Sequence, residues 1–209
     1  LADSDVEIEL LNYDEELLSK SIAVKDFAGA IVDIKKLTHD IRQVEITLDQ
    51  PRKFWAGPYV DITVTTSGEE TITRSFSMAN TPSETEELKF IIKKYPDGKF
   101  SSELDDGGIQ AGAKVSVKGP YGTCFRREDR DGPIVLVGAG SGMSPIWSIL
   151  NDHLQSGEDR DVYFFYGART QDDLFYLKEV EELLASHAGV TFIPVLSEAF
   201  DDAEWTGEK

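Results

Sequence analysis

The sequence predicts an antiparallel β-barrel followed by a doubly wound parallel-sheet α/β domain. Three observations predict it. Between about Phe27 and residue 120, short runs alternate apolar and polar residues and are parted by turn formers. At Ile134-Val135-Leu136-Val137 an unbroken apolar run leads into glycines, as a strand buried on both faces does. Beyond it, strand-like and helix-like segments take turns, which is the order of a parallel sheet with crossover helices.

Residues 1–25 read as an acidic tail or linker with no long period. In the barrel region, over 26–130, Val44, Ile46 and Leu48 alternate with Gln43, Glu45 and Thr47. Val60, Ile62 and Val64 alternate with Asp61 and Thr63, and Leu88–Ile92 and Lys114–Val117 are further strands. Gln50-Pro51, Ala56-Gly57-Pro58, Ser67-Gly68, Pro96-Asp97-Gly98 and Gln110-Ala111-Gly112 supply the turns. A short helix is expected from Ser101, whose hydroxyl can cap it, towards Leu104. Asp131-Gly132-Pro133 marks the boundary to the α/β domain, over 131–209. There Ile134–Val137 precedes a helical face of Ile146, Ile149 and Leu150. Strand Val162–Tyr166, a helix from about Asp172 to Ala185 and strand Val190–Leu196 follow. The second helix shows a face of Leu174, Leu177, Val180 and Leu184. Three parallel strands make a thin sheet, and the first residue is not Met, so the chain reads as a fragment open at both ends.

Composition narrows the classes. Of 209 residues, 21 are Lys or Arg and 39 are Asp or Glu, a formal charge of −18. That excludes a phosphate-tracking nucleic-acid binder and an anionic membrane surface as partners. No apolar run is long enough for a membrane-spanning helix, and no signal-peptide pattern opens the chain. The single cysteine, Cys124, excludes an internal disulfide and a multi-cysteine metal or cluster site, and a cytoplasmic location is expected. Acidic residues gather at both ends and read as a solvated surface, with docking to a basic partner as the other reading. His39, His153 and His187 are scattered, so no metal site is expected and each reads as a surface residue. Cys124 reads as a packed, inert thiol, and Trp55, Trp147 and Trp205 as core or rim.

Two motifs carry chemistry. Arg74-Ser75-Phe76-Ser77 sets a cation beside hydroxyls and an aromatic ring in strand-like sequence. Gly138-Ala139-Gly140-Ser141-Gly142-Met143-Ser144-Pro145 follows a buried strand. Its glycines let the backbone approach an anion, and Pro145 suits a helix's first turn, where a missing N–H costs nothing. The pattern is not G-x-G-x-x-G, because Met143 holds the third glycine position. The next strand ends Tyr166-Gly167-Ala168-Arg169 without an acid, which disfavours a standard Rossmann dehydrogenase.

Taken in order, Arg74–Ser77, Phe90-Ile91-Ile92-Lys93, Gly98-Lys99-Phe100-Ser101, Gly119-Pro120-Tyr121-Gly122, Gly138–Pro145 and Tyr166–Arg169 resemble the ferredoxin–NADP reductase superfamily. The nearer likeness is to NADH-dependent reductase components of bacterial multicomponent monooxygenases acting on methane, other short alkanes or phenol. It covers about Phe27 to the end. The resemblance implies that Arg74 neutralises the FAD pyrophosphate, that Ser75 is a further cofactor-binding residue and that Phe76, where Tyr is usual, packs on the flavin. Ser77 would hydrogen-bond near flavin N5 and is the implied catalytic residue. Ile91, Ile92 and Lys93 would line the adenine or ribityl side. Gly98, Lys99, Phe100 and Ser101 would serve the pyrophosphate. Gly138, Gly140, Ser141, Gly142, Met143 and Pro145 would face the NADH phosphates. Tyr166, Gly167 and Arg169 would face the adenosine ribose. Arg169 also reads as a 2′-phosphate binder, so NADH is expected with NADPH left open. The implied activity moves electrons from NADH through FAD to an iron–sulfur centre and on to an oxygenase component. A [2Fe–2S] cluster is expected only in an upstream domain, whose tail would be Val6–Tyr13. The C-terminal Cys-Gly-Pro segment of the relatives is absent. The alternatives are the reductase of a ring-hydroxylating dioxygenase or flavohaemoglobin-type system, and a flavin-binding fragment without turnover.

Overall fold

A computed structural model describes residues 22–127 and 131–198. The expected acidic tail therefore lies outside the described residues, save its last four, as do the acidic C-terminal residues and Trp205. The elements are β1 (Lys25–Lys36), β2 (Ile41–Leu48), β3 (Tyr59–Thr65), β4 (Thr71–Ser77), β5 (Glu87–Lys93), α1 (Lys99–Asp106) and β6 (Lys114–Tyr121). Then come β7 (Ile134–Ala139), α2 (Met143–Ser156), β8 (Val162–Ala168), α3 (Leu177–Ser186) and β9 (Val190–Leu196). Among the described residues no helix is long and apolar enough to cross a membrane.

The first six strands form one antiparallel sheet in the order β4-β3-β6-β1-β2-β5. A single bridge from Met78 to Phe90 brings its two edges together, so the sheet curls into a barrel. Period-two alternation sends Val44, Ile46, Val60, Ile62, Val64, Leu88 and Phe90 inward, and α1 plugs the interior with Phe100 and Leu104. The long strand β1 is an addition to the expected set. Its alternation is broken by a bulge between Ile31 and Asp33, which leaves Val32 unpaired and half exposed.

The second sheet is parallel, in the order β7-β8-β9. Leu136, Val162 and Phe164 meet Ile149 and Leu150 of α2 and Val180 and Leu183 of α3 in one cluster, so both helices cover the same face. The other face shows Val135 and Val137 to solvent, with no covering element among the described residues. Two helix starts differ from expectation. Helix α1 begins at Lys99, with Gly98 as its N-cap and no side-chain cap. The Ser101 hydroxyl instead accepts the Tyr95 N–H (3.2 Å) and donates to the Gly98 carbonyl (3.2 Å). Helix α3 begins at Leu177 rather than Asp172. Thr170 and Asp173 close a separate 3-10 turn by a reciprocal capping box, and Tyr176 adopts φ 60°. Leu174 and Phe175 are buried in extended backbone ahead of the helix.

One barrel residue stands out energetically. Arg52 is 3% exposed, with its guanidinium 4.5 Å over the Phe27 ring and no hydrogen-bond partner for any of its three nitrogens. Desolvation lowers its pKa to about 10. Stacking on an aromatic face returns only part of the desolvation cost of an unpaired buried cation. Arg52→Met is expected to raise stability by about 1–3 kcal/mol, read as a melting midpoint several degrees higher by calorimetry. An unchanged or lower midpoint would show that the stacked cation is stabilising.

Candidate functional site

Strand β4 sets Arg74 and Phe76 two residues apart on one face, opposite Ile62 and Val60 of β3. They border a cavity of about 310 Å³ with Ile92, Phe100 and Ser101. The Phe76 ring lies 4.9 Å from that of Phe100 and 6.4 Å from that of Phe90, so the barrel core holds its edge. Arg74 is exposed, donates to the Thr73 carbonyl (2.7 Å) and has no carboxylate partner among the described residues. In a chain of charge −18, a guanidinium left without an acid at a cavity mouth is ready for an external anion. The start of α1 adds to this. It has no side-chain cap and no acid in its first turn, and Gly98, Phe100 and Ser101 of that start line the same cavity, where free helix-end amides favour an anion. The donor set fits a pyrophosphate.

The other expected residues on this side are placed variously. Gly98 lines the cavity at the helix start. The Lys99 side chain pairs with Glu70 (2.6 Å) and is outside the cavity lining. Ser101 lines the cavity, with its hydroxyl proton on the Gly98 carbonyl. Ser75 bonds Asp61 (2.5 Å) at the rim. Ile91 is buried and gives its N–H to Ser144 Oγ (2.9 Å). Ser77 ends β4, half-buried opposite Tyr59, beside the cavity rather than in its lining.

On the second sheet, the turn after β7 carries the glycine motif. Gly138 is closely packed: a Cβ there would sit 2.7 Å from Met143 Sδ and 3.3 Å from Ile146, so a larger residue would push the buried Met143 side chain aside. Glycine is what lets α2 seat closely on the sheet. Met143 and Tyr166 are fully buried. The Tyr166 hydroxyl accepts the Phe175 N–H (3.0 Å), and burial pushes its pKa up. Their side chains are core and lie outside the lining of the two cavities described here. Gly142 and Pro145 shape the 3-10 turn and the first turn of α2, outside the cavity lining. The cavity here, about 420 Å³, is bordered by Gly140, Ser141, Gly167 and Arg169 from this sheet and by Asp40 and Lys93 from the barrel. Lys93, Tyr95 and Ser141 line this cavity and the barrel cavity alike, so the two adjoin.

Their adjacency depends on a tight domain contact. Ser148 donates to the Asn80 carbonyl (2.6 Å), Ser144 accepts from Ile91, and Tyr176 donates to Gln43. Ile41, Ala56, Ala79 and Ile91 of the barrel belong to the same apolar cluster as the second sheet. At the cavity edge Arg169 meets His39, Asp40 and Asp173, residues the motifs did not single out. Burial works against ionisation of Asp40, but hydrogen bonds from Lys93 and Thr38 and the Lys93 charge outweigh it and hold the carboxyl below its ordinary value. His39, Asp40 and Asp173 could converge on a cation, yet Lys93 and Arg169 already pair with those carboxylates. Elsewhere Cys124 is exposed rather than packed, and His153 is buried rather than on the surface, its Nε2 on the Arg160 carbonyl (3.3 Å).

Comparison with known proteins agrees with this geometry. The Oxidoreductase FAD-binding domain family matches residues 28–125, and the Oxidoreductase NAD-binding domain family matches 136–209. The reductase component of propane 2-monooxygenase from Mycolicibacterium goodii is 42% identical over 198 residues, 94% of this chain and 56% of that protein. The reductase component DmpP of phenol 2-monooxygenase from Pseudomonas sp. (strain CF600) is 33% identical over 186 residues, 89% of this chain and 52% of that protein. The solved structure of the Amycolatopsis cytochrome P450 reductase GcoB superposes with a TM-score of 0.81 at 32% identity, covering 90% of this chain and 56% of that one. The chain spans about half the length of the curated relatives it matches.

Proposed function

Because the chain belongs to the FAD- and NAD-binding oxidoreductases of the ferredoxin–NADP reductase superfamily, we propose that it forms the flavin- and dinucleotide-binding part of a monooxygenase reductase component. It takes reducing equivalents from NADH and passes them, through an iron–sulfur centre, to an oxygenase partner. Relatives named as reductase components of propane and phenol monooxygenases support that partner class. The observation that carries the reading is the adjoining pair of cavities, one with a cation that has no carboxylate partner among the described residues and a helix start without a side-chain cap, the other at the glycine turn.

When bound, FAD supplies the change from a two-electron donor to single-electron delivery. The chain's own residues bind and orient. Arg74 and the first amides of α1 neutralise the pyrophosphate. Phe76, braced by Phe90 and Phe100, offers a fixed apolar surface beside them. Gly140 and Ser141 hold the dinucleotide phosphates at the α2 end of the second cavity. The buried Ser144 and Ser148 bonds keep the two cavities in register, so the reacting partners meet with little loss of orientation.

The test is the visible spectrum of the chain after incubation with FAD and desalting, followed by NADH under anaerobic conditions. A retained flavin band that NADH bleaches is expected. A folded, colourless chain would overturn the flavin reading, and a retained band that NADH leaves unchanged would make the chain a flavin-binding module. Ser77→Ala is expected to slow the bleaching at least tenfold while FAD retention changes less. Equal rates would remove the role given to that hydroxyl.

A further inference from the structure

The structure assigns Tyr176 as a positioning residue, a latch that fixes the α/β domain against the barrel and so sets the two adjoining cavities to each other. The inference rests on the reading of those cavities as a flavin site and a dinucleotide site. Among the described residues two non-glycines have a left-handed backbone, Glu69 (φ 64°) and Tyr176 (φ 60°). Glu69 sits in an exposed turn between β3 and β4. Tyr176 sits at the domain contact as the N-cap of α3, where it makes no side-chain cap. That conformation is strained for a residue with a Cβ, and glycine would adopt it freely. What offsets the strain is the reach of the side chain.

The Tyr176 hydroxyl crosses to the barrel and donates to Gln43 Oε1 on β2, while its ring lies 5.0 Å from that of Trp147 on α2. Burial pushes the hydroxyl's pKa up, so it stays protonated as the donor. Both ends of the link are braced. On the sheet side the Tyr166 hydroxyl accepts the Phe175 N–H (3.0 Å), and the Phe175 ring meets the Tyr176 ring edge-on at 5.1 Å. On the barrel side Gln43 is buried, and its Nε2 donates to Glu45 Oε1 (2.5 Å). Gln43 is the cross-strand partner of Ile91, which lines the barrel cavity. Three residues before Tyr176, Asp173 lines the second cavity. One contact therefore ties a wall of each cavity to the other. Its origin outside α2 matters. The Ser144 and Ser148 bonds both come from α2, and contacts along one helix leave two domains free to rock about it. A braced contact from another segment removes that freedom. Arg169 also crosses to Asp40 and His39, but it is half exposed, where such pairs hold weakly.

The test compares Tyr176→Phe, which keeps the ring and removes only the donor, with Gln43→Leu and with the double variant. Its first arm uses the chain without cofactors. Hydrogen exchange at the Ile91 N–H, which Ser144 holds, should speed up roughly tenfold or more in each variant, while the β8 amides exchange as in the parent. The second arm follows NADH bleaching of retained FAD with both cofactors saturating, the nicotinamide's hydride passing to the flavin with a proton from solvent. Bleaching should slow roughly five- to tenfold, while the affinities for FAD and NADH stay within about twofold. Because the two side chains form one link, the double variant should be no slower than either single variant. Effects that add would show two separate packing losses and overturn the latch. Exchange equal to the parent's, or faster in β8 as well, overturns it too. Bleaching at the parent's rate in variants whose Ile91 exchanges faster overturns the role in setting the cavities. A parent that retains no FAD, or whose FAD NADH leaves unbleached, overturns the cofactor reading, and the exchange arm alone then decides the latch.

Discussion

Arg74→Ala is expected to weaken FAD binding roughly 10- to 100-fold, the worth of one or two charge-assisted hydrogen bonds. The side chain donates within the fold only to the Thr73 carbonyl and takes part in no ion pair among the described residues, so its loss should leave the barrel's stability within about 0.5 kcal/mol. That separation makes the experiment informative. Flavin retention after desalting, followed with the thermal midpoint of the same sample, should show a large change in the first and almost none in the second. Retention equal to the parent would mean that the α1 amides alone hold the anion, or that the pyrophosphate lies elsewhere. Arg74→Lys is expected to recover only part of the affinity, because an ammonium lacks the guanidinium's paired donors.

The second large effect is structural. Gly57 sits in the loop between β2 and β3 with φ 107°. A Cβ at this position would lie 2.0 Å from the Cys124 carbonyl oxygen and 2.9 Å from Ile149 Cδ1 of α2. The carbonyl is backbone and cannot swing aside as a flexible side chain could. Gly57→Ala is therefore expected to cost about 3 kcal/mol or more, combining left-handed strain with overpacking. For a chain of this size that lowers the melting midpoint by roughly 6–12 °C. Because the clash pushes α2 from the barrel, NADH-dependent bleaching should fall more than FAD retention does. A midpoint within two degrees of the parent would show that the loop relaxes freely and that the close approach does not fix the domain contact.

Much of the fold was legible because strands and helices write themselves in local periods. Strand Val190–Leu196 has the bounds read from its apolar run, and Val44, Ile46, Val60 and Ile62 point inward as their alternation requires. Strand β1 escaped because a bulge shifts the phase of its alternation midway. The start of α3 escaped because Leu174-Phe175-Tyr176 is apolar enough to extend a helical face. The backbone instead turns at Tyr176, and the capping box of Thr170 and Asp173 closes the preceding turn. In the candidate site the motifs fall in segments that border the two cavities, without separating lining from support. Ser141 and Gly167 border the cavity, while Met143 and Tyr166, from the same segments, are buried to hold the turn in place.

By itself the sequence determined the two-domain class, the strand and turn order, the glycine-rich approach of β7 to α2 and the cation of β4, because each is set by neighbours within a few positions. Only the tertiary structure decided that the two cavities adjoin, that Arg74 has no acid partner among the described residues while Arg169 lies between two, and that Asp40 and Asp173 meet across the domain contact. The physical reason is that a charge takes its meaning from its spatial neighbours. Those neighbours are chosen by long-range packing of Ile41, Ala79 and Ile91 against the second sheet, which no spacing along the chain records.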